Sequence, residues 1–190
     1  MLAWGYQDAR FKIRATHEEE EITGLIWEAI KARLDDPTTP PKFKYYDIHE
    51  EEHVRQSQRS GKSRQRLDIV ATCSFNLPRP EFVFEAKVLR KNGFPISKYT
   101  GNDGMLCYIR GNYAQKYPAA AMIGYVKSDT ADRWYLELKR KFDSDDGSLC
   151  ILKYLRKSNV LESLPHEWVS VHSRRNNVNI EIFHIFLDFT

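Results

Sequence analysis

The sequence predicts an α/β fold in a single domain, with strands and helices in a mixed layer arrangement, and three patterns carry that prediction. An amphipathic helix pattern over residues 17–34 precedes two apolar runs of strand length, 67–75 and 81–89. The small-residue run AAAMIGYV at 119–126 has the composition of a strand buried on both faces, and a second helical pattern follows at 130–142. Residues 178–189 then alternate, with Phe183, Ile185, Leu187 and Phe189 on one side.

With 190 residues and 42% hydrophobic content, the chain is long enough for one domain, 1–190, with a full core. The net charge of +3 is too small to argue for a nucleic-acid partner by itself, so the distribution of charge matters more than its total. Cys73, Cys107 and Cys150 are odd in number and far apart, which excludes a disulfide framework and a cysteine zinc site. No apolar run approaches the ~20 residues of a membrane span. The opening MLAWGYQDARFKIR lacks the apolar stretch of a signal peptide, so a cytoplasmic protein is expected.

Residues 10–14 read as a short strand leading in. Thr16 and Glu19 have the spacing of a capping box at the start of the first helix. Ile22, Leu25, Ile26, Ala29 and Ile30 form that helix's apolar face, and Glu18, Glu19, Glu20 and Glu21 crowd its first turns, where the helix dipole favours negative charge. Asp35-Asp36-Pro37 ends it. Residues 43–46 fit a strand or a helical turn equally. A polar stretch follows over 49–66, and its second part, 55–66, reads as a flexible loop that carries Arg55, Arg59, Lys62, Arg64 and Arg66 with no acid. Residues 104–117 suit a helix with Tyr108 and Tyr113 in the core. Strands are expected at 149–155 and 168–172 as a C-terminal extension, and Trp4, Trp27, Trp134 and Trp168 as core anchors.

The runs at 67–75 and 81–89 carry three charged residues where apolar ones are expected: Asp68 in RLDIV, and Glu85 and Lys87 in FVFEAKVL. Glu85 and Lys87 are two apart, so on a strand they share a face. If the strands pair, Asp68 can join them. Two carboxylates in one site repel each other, and a divalent cation relieves the repulsion. Magnesium suits such a donor set because it takes hard oxygen ligands and keeps several waters; manganese is an alternative. Lys87 beside a metal-bound water can orient it or offset charge growing on a phosphate.

Asp68, a turn, and Glu85-Ala86-Lys87 together resemble the core of the PD-(D/E)XK nucleases, the restriction-endonuclease-like superfamily, with 16 residues intervening between the two acids. The segment Glu20-Glu21-Ile22-Thr23-Gly24-Leu25-Ile26 resembles the family's first core helix, which commonly supplies a further glutamate. On that resemblance Glu21 is chosen as the added ligand, although helical geometry puts Glu18 closer to the apolar face. The resemblance covers residues 16–126 and departs at Leu67, where the family often has proline. It implies a central mixed β-sheet flanked by helices, a magnesium-dependent endonuclease hydrolysing phosphodiesters, DNA ahead of RNA, and a place in restriction or anti-phage defence beside a partner subunit. The basic residues from Arg55 to Arg66 lead directly into Asp68 and are candidate phosphate contacts. A second reading keeps the fold but has it act through a partner protein, with weak or no catalysis.

One motif competes. His49-Glu50-Glu51-Glu52-His53 satisfies HExxH, which on a helix would set two histidines one turn apart for zinc in a peptidase. The surrounding residues lack the apolar face that seats such a helix, so the motif ranks below the nuclease set.

Overall fold

The computed structural model describes residues 1–53, 66–75, 77–160, 163–174 and 178–190. The chain divides into two compact units, Met1–Phe84 and Glu85–Thr190.

The first unit contains α1 (Leu2–Ala9), α2 (Glu19–Asp35), a 3-10 turn (Pro41–Tyr45), β1 (Tyr46–His53), β2 (Arg66–Cys73) and the first half of β3 (Glu81–Leu89). Ile22, Ile26 and Ile30 recur every fourth residue of α2 and are fully buried. Gly5 of α1 packs so closely on α2 that a Cβ there would lie 2.6 Å from Ile30 Cγ1 and 2.8 Å from the Ile26 carbonyl. Arg33 clasps Asp8 through two N–H donors at 2.6 and 2.9 Å, tying the same helices at the surface. Both strand pairs are antiparallel, with Ile48 opposite Ala71, and Ile69, Val70 and Ala71 opposite Phe84, Val83 and Phe82. Trp27 anchors α2 to β1 by donating its indole N–H to the Ile48 carbonyl at 3.1 Å.

The second unit contains the rest of β3, α3 (Ile96–Thr100), α4 (Met105–Ile109), β4 (Ala119–Val126), α5 (Ala131–Asp143), β5 (Ile151–Lys157), β6 (Glu167–His172) and β7 (Ile180–Asp188). β4 and β7 run parallel, as expected of a strand whose residues from Ala120 onward are all buried. β6 pairs antiparallel with both β5 and β7. Strand hydrogen bonding follows the order β1-β2-β3-β4-β7-β6-β5, a mixed sheet flanked by helices, as the sequence predicts. Tyr135 of α5 stacks on Trp168 of β6, centroids 4.5 Å apart and 10° from parallel. No helix among the described residues is long and apolar enough to cross a membrane.

Several local expectations are corrected. The chain opens with a helix, α1, and residues 10–14 are turn and coil. The N-cap of α2 is Glu18, not Thr16, because the capping box closes with Glu21 three residues on. Residues 49–53, read from the sequence only as part of a polar stretch, belong to β1. The helix expected over 104–117 is confined to α4, because Gly111 (φ 77°) and Ala114 (φ 48°) take left-handed conformations that no α-helix continues through.

Candidate active site

β3 begins as a half-buried strand and ends as a central one: Glu85, Ala86, Val88 and Leu89 are all buried. Glu85 and Lys87 share a face two residues apart, and the Lys87 ammonium donates to Glu85 Oε1 at 2.8 Å and to the Ala86 carbonyl at 2.6 Å. Their side chains are 5% and 14% exposed, so this pair is largely withdrawn from water. At that depth each group would carry a large desolvation cost without the other.

Cys107 of α4 lies within electrostatic reach of the pair. Burial, then the negative charges of Glu85 and Asp103, push its thiol up to about 11, while a hydrogen bond with Tyr113 and the charge of Lys87 pull the other way. The thiol donates to the Asn102 carbonyl at 2.9 Å. It therefore stays protonated at neutral pH and serves neither as nucleophile nor as thiolate ligand. Nothing in the sequence links Cys107 to this pair, because no spacing rule joins positions 87 and 107.

Asp68 lies in β2 of the first unit and is half-buried. Glu21 is exposed at the start of α2, where its carboxylate accepts the Glu18 backbone N–H at 2.8 Å. Arg66 opens β2. Arg55, Arg59, Lys62 and Arg64 lie outside the described residues. Gln115 and Lys116 are exposed, and Tyr108 and Tyr113 are core residues. The rival zinc motif loses its geometry: in β1, His49 and His53 stand four residues apart along an extended strand, about 13 Å at ~3.3 Å per residue, whereas the motif requires one helical turn. Among the described residues no three His, Cys, Asp or Glu side chains are assembled into a metal-ligating cluster.

No protein-family model, curated protein or solved structure matches this chain.

A second buried polar group is not foreseen from the sequence. In the second unit, the Ser170 hydroxyl lies 2.6 Å from His172 Nε2 and 2.8 Å from His184 Nε2, with all three residues fully buried. His172 Nδ1 lies 2.6 Å from the Leu149 carbonyl, so that nitrogen carries the proton. Its Nε2 then accepts from the Ser170 hydroxyl, whose oxygen also lies against His184 Nε2. His184 Nδ1 lies 3.1 Å from the oxygen of Tyr99, whose hydroxyl proton goes to the Met122 carbonyl at 3.1 Å. Burial pushes His172 down to about 4 and His184 to about 3.

Proposed function

We propose that this chain is a magnesium-dependent nuclease that hydrolyses phosphodiester bonds, with Asp68, Glu85 and Lys87 as its catalytic set and DNA as the favoured substrate. The observation that carries the proposal is the Glu85–Lys87 pair, a carboxylate and an ammonium 2.8 Å apart on one strand face with side chains 5% and 14% exposed. A buried ion pair is weak evidence for stability, because apolar residues of the same volume often do as well. Its presence in the middle of an apolar strand therefore points to chemistry.

The donor set suits magnesium. Asp68 and Glu85 offer only hard carboxylate oxygens, and magnesium binds through one or two carboxylates while keeping its remaining waters, so a three-residue cluster is not required. When bound, the ion supplies Lewis acidity and a more acidic water. Glu85 keeps its charge beside Lys87 and is positioned by the rigid strand that carries both. Lys87 holds an N–H donor toward the growing negative charge on a phosphate oxygen. The same ammonium orients Glu85 before any substrate arrives, so the reorganisation needed at the moment of reaction is small. Glu21 can join such a set only by giving up its hydrogen bond to the Glu18 N–H. The basic residues Arg55, Arg59, Lys62, Arg64 and Arg66 are proposed to contact the phosphate backbone. A defence role with a partner subunit rests on the family resemblance alone.

The test is incubation of the purified chain with plasmid, linear duplex, single strands and RNA, with and without magnesium, beside Asp68→Ala and Lys87→Ala. Magnesium-dependent cleavage that both substitutions abolish, in variants that still unfold cooperatively, is expected. Cleavage retained in both variants removes the proposal.

A further inference from the structure

A cavity of about 260 Å³ opens in the second unit where the chain leaves β3 and β4. One wall is the loop after β3 and the other is the segment that leads from β4 into α5. The two are stitched together by backbone and side-chain bonds. Lys91 N–H donates to Ser128 Oγ at 2.7 Å, Trp134 Nε1–H to the Ser128 carbonyl at 2.7 Å, and Lys127 N–H to the Leu89 carbonyl at 3.0 Å. The first loop also closes on itself, with Arg90 and Phe94 exchanging backbone bonds of 3.3 and 3.1 Å. Asn92 and Asp129 line the cavity with left-handed φ angles of 63° and 59°. Asn and Asp take this conformation more readily than other non-glycine residues, and the bonds above hold both segments in place. The cavity is thus preformed.

Its chemistry is two-sided. Arg90, Lys91 and Arg133 supply positive charge, and Pro95, Ile96 and Trp134 an apolar wall. Two acids also line it, Asp129 and Glu137. Glu137 is already engaged, its Oε1 lying 2.6 Å from Arg140 and 3.8 Å from Arg133. Arg140 does not line the cavity, so the charge presented to a ligand is net positive. Guanidinium forks match phosphate oxygens in pairs, and the crevice beyond the carboxyl ends of strands is where α/β sheets usually hold ligands.

We infer that this cavity binds a phosphorylated nucleotide, with the phosphate held by Arg90 and Arg133 and the base against the Pro95–Ile96–Trp134 wall. Its size, just below the ~300 Å³ at which ordinary ligand pockets begin, suits a single nucleotide better than a stretch of strand. The inference goes beyond the Asp68–Glu85–Lys87 reading and stands without it, because neither the charge nor the cavity involves those residues. The nucleotide can be free or the phosphorylated end of a strand.

The test is calorimetric titration of the whole chain, in EDTA, with adenosine 5′-monophosphate, adenosine, inorganic phosphate, and a short single-stranded oligonucleotide with or without a 5′-phosphate. The monophosphate is expected to bind at least about tenfold more tightly than adenosine or phosphate alone. Arg133→Glu, at a side chain 60% exposed, and Arg90→Ala are expected to weaken it about tenfold or more, while Lys153→Ala on exposed β5 leaves it unchanged. Binding of the phosphorylated oligonucleotide as tight as the monophosphate assigns a strand end; binding of the monophosphate alone assigns a free nucleotide. Equal affinity for monophosphate and adenosine, or unchanged binding in both Arg variants at native melting temperature, overturns the inference. Cleavage assays play no part in this result, so it is decided separately from the nuclease proposal.

Discussion

The Lys87 ammonium reaches back along its own strand to Glu85 Oε1, 2.8 Å away, and caps the Ala86 carbonyl with a second donor. Replacing it by methionine keeps the stem and removes the charge, leaving the Glu85 carboxylate in a buried position without the ammonium. Breaking a buried pair from one side costs about 3–5 kcal/mol in typical cases, and the 14% exposure of Lys87 places Lys87→Met toward the lower end. A divalent cation can replace the missing charge. Magnesium is therefore expected to raise the melting temperature of Lys87→Met more than that of the unsubstituted chain, and to lose its effect in Glu85→Gln. A magnesium shift of equal size in all three proteins would count against Glu85 as a ligand.

Glu21 separates two roles by a single atom. Its carboxylate accepts the Glu18 N–H at 2.8 Å, which a glutamine oxygen can also do. Glu21→Gln is expected to hold stability within about 0.5 kcal/mol, and Glu21→Ala to lose about 0.5–1 kcal/mol. Cleavage rates measured on the same two proteins then read the catalytic role alone. Equal activity in Glu21→Gln and the unsubstituted chain assigns the residue to capping.

Stability is expected to fall as pH drops from about 6.5 toward 4. Burial lowers His172 to about 4 and His184 to about 3, whereas the unfolded chain takes up these protons near the ordinary value of 6.5. Between those limits the unfolded state binds more protons than the native one, so unfolding becomes easier with each step down, by up to about 1.4 kcal/mol per pH unit for each ring. Above 6.5 the contribution is complete and flat. Denaturant unfolding at pH 7.0, 6.0 and 5.0 measures the slope. Imidazole proton shifts that move near pH 6.5 for either ring would refute the neutral network.

The strands were legible where burial alone shaped the sequence. β3 and β4 have the expected limits because a central strand shows a run of apolar residues bounded by turn residues, and in β3 the two charged positions stand out against that run. β1 was hidden because it is an edge strand: YDIHEEEH carries one aliphatic residue, Ile48, and edges tolerate charge that central strands do not. α1 was hidden by Gly5, a poor helix former whose value lies in the close approach of α2. At the site, the shared face of Glu85 and Lys87 follows from the period of a strand. Their neighbour Cys107 does not, since α4 is brought there by tertiary packing, and neither does the Ser170–His172–His184 group, which joins two strands fourteen residues apart.

That close approach can be tested directly. A Cβ at Gly5 would lie 2.8 Å from the Ile26 carbonyl and 2.6 Å from Ile30 Cγ1, and the first of these is backbone that cannot rotate away. Alanine has the higher intrinsic helix propensity by about 1 kcal/mol, so on an isolated helix Gly5→Ala would stabilise. Here overpacking of about 1–3 kcal/mol opposes that gain. The Ile30 methylene can be relieved by trimming and the Ile26 carbonyl cannot. Gly5→Ala is expected to lower the melting temperature, with partial recovery in Gly5→Ala/Ile30→Ala relative to Ile30→Ala alone. A melting temperature raised by Gly5→Ala would mean that α1 does not pack on α2 at this distance.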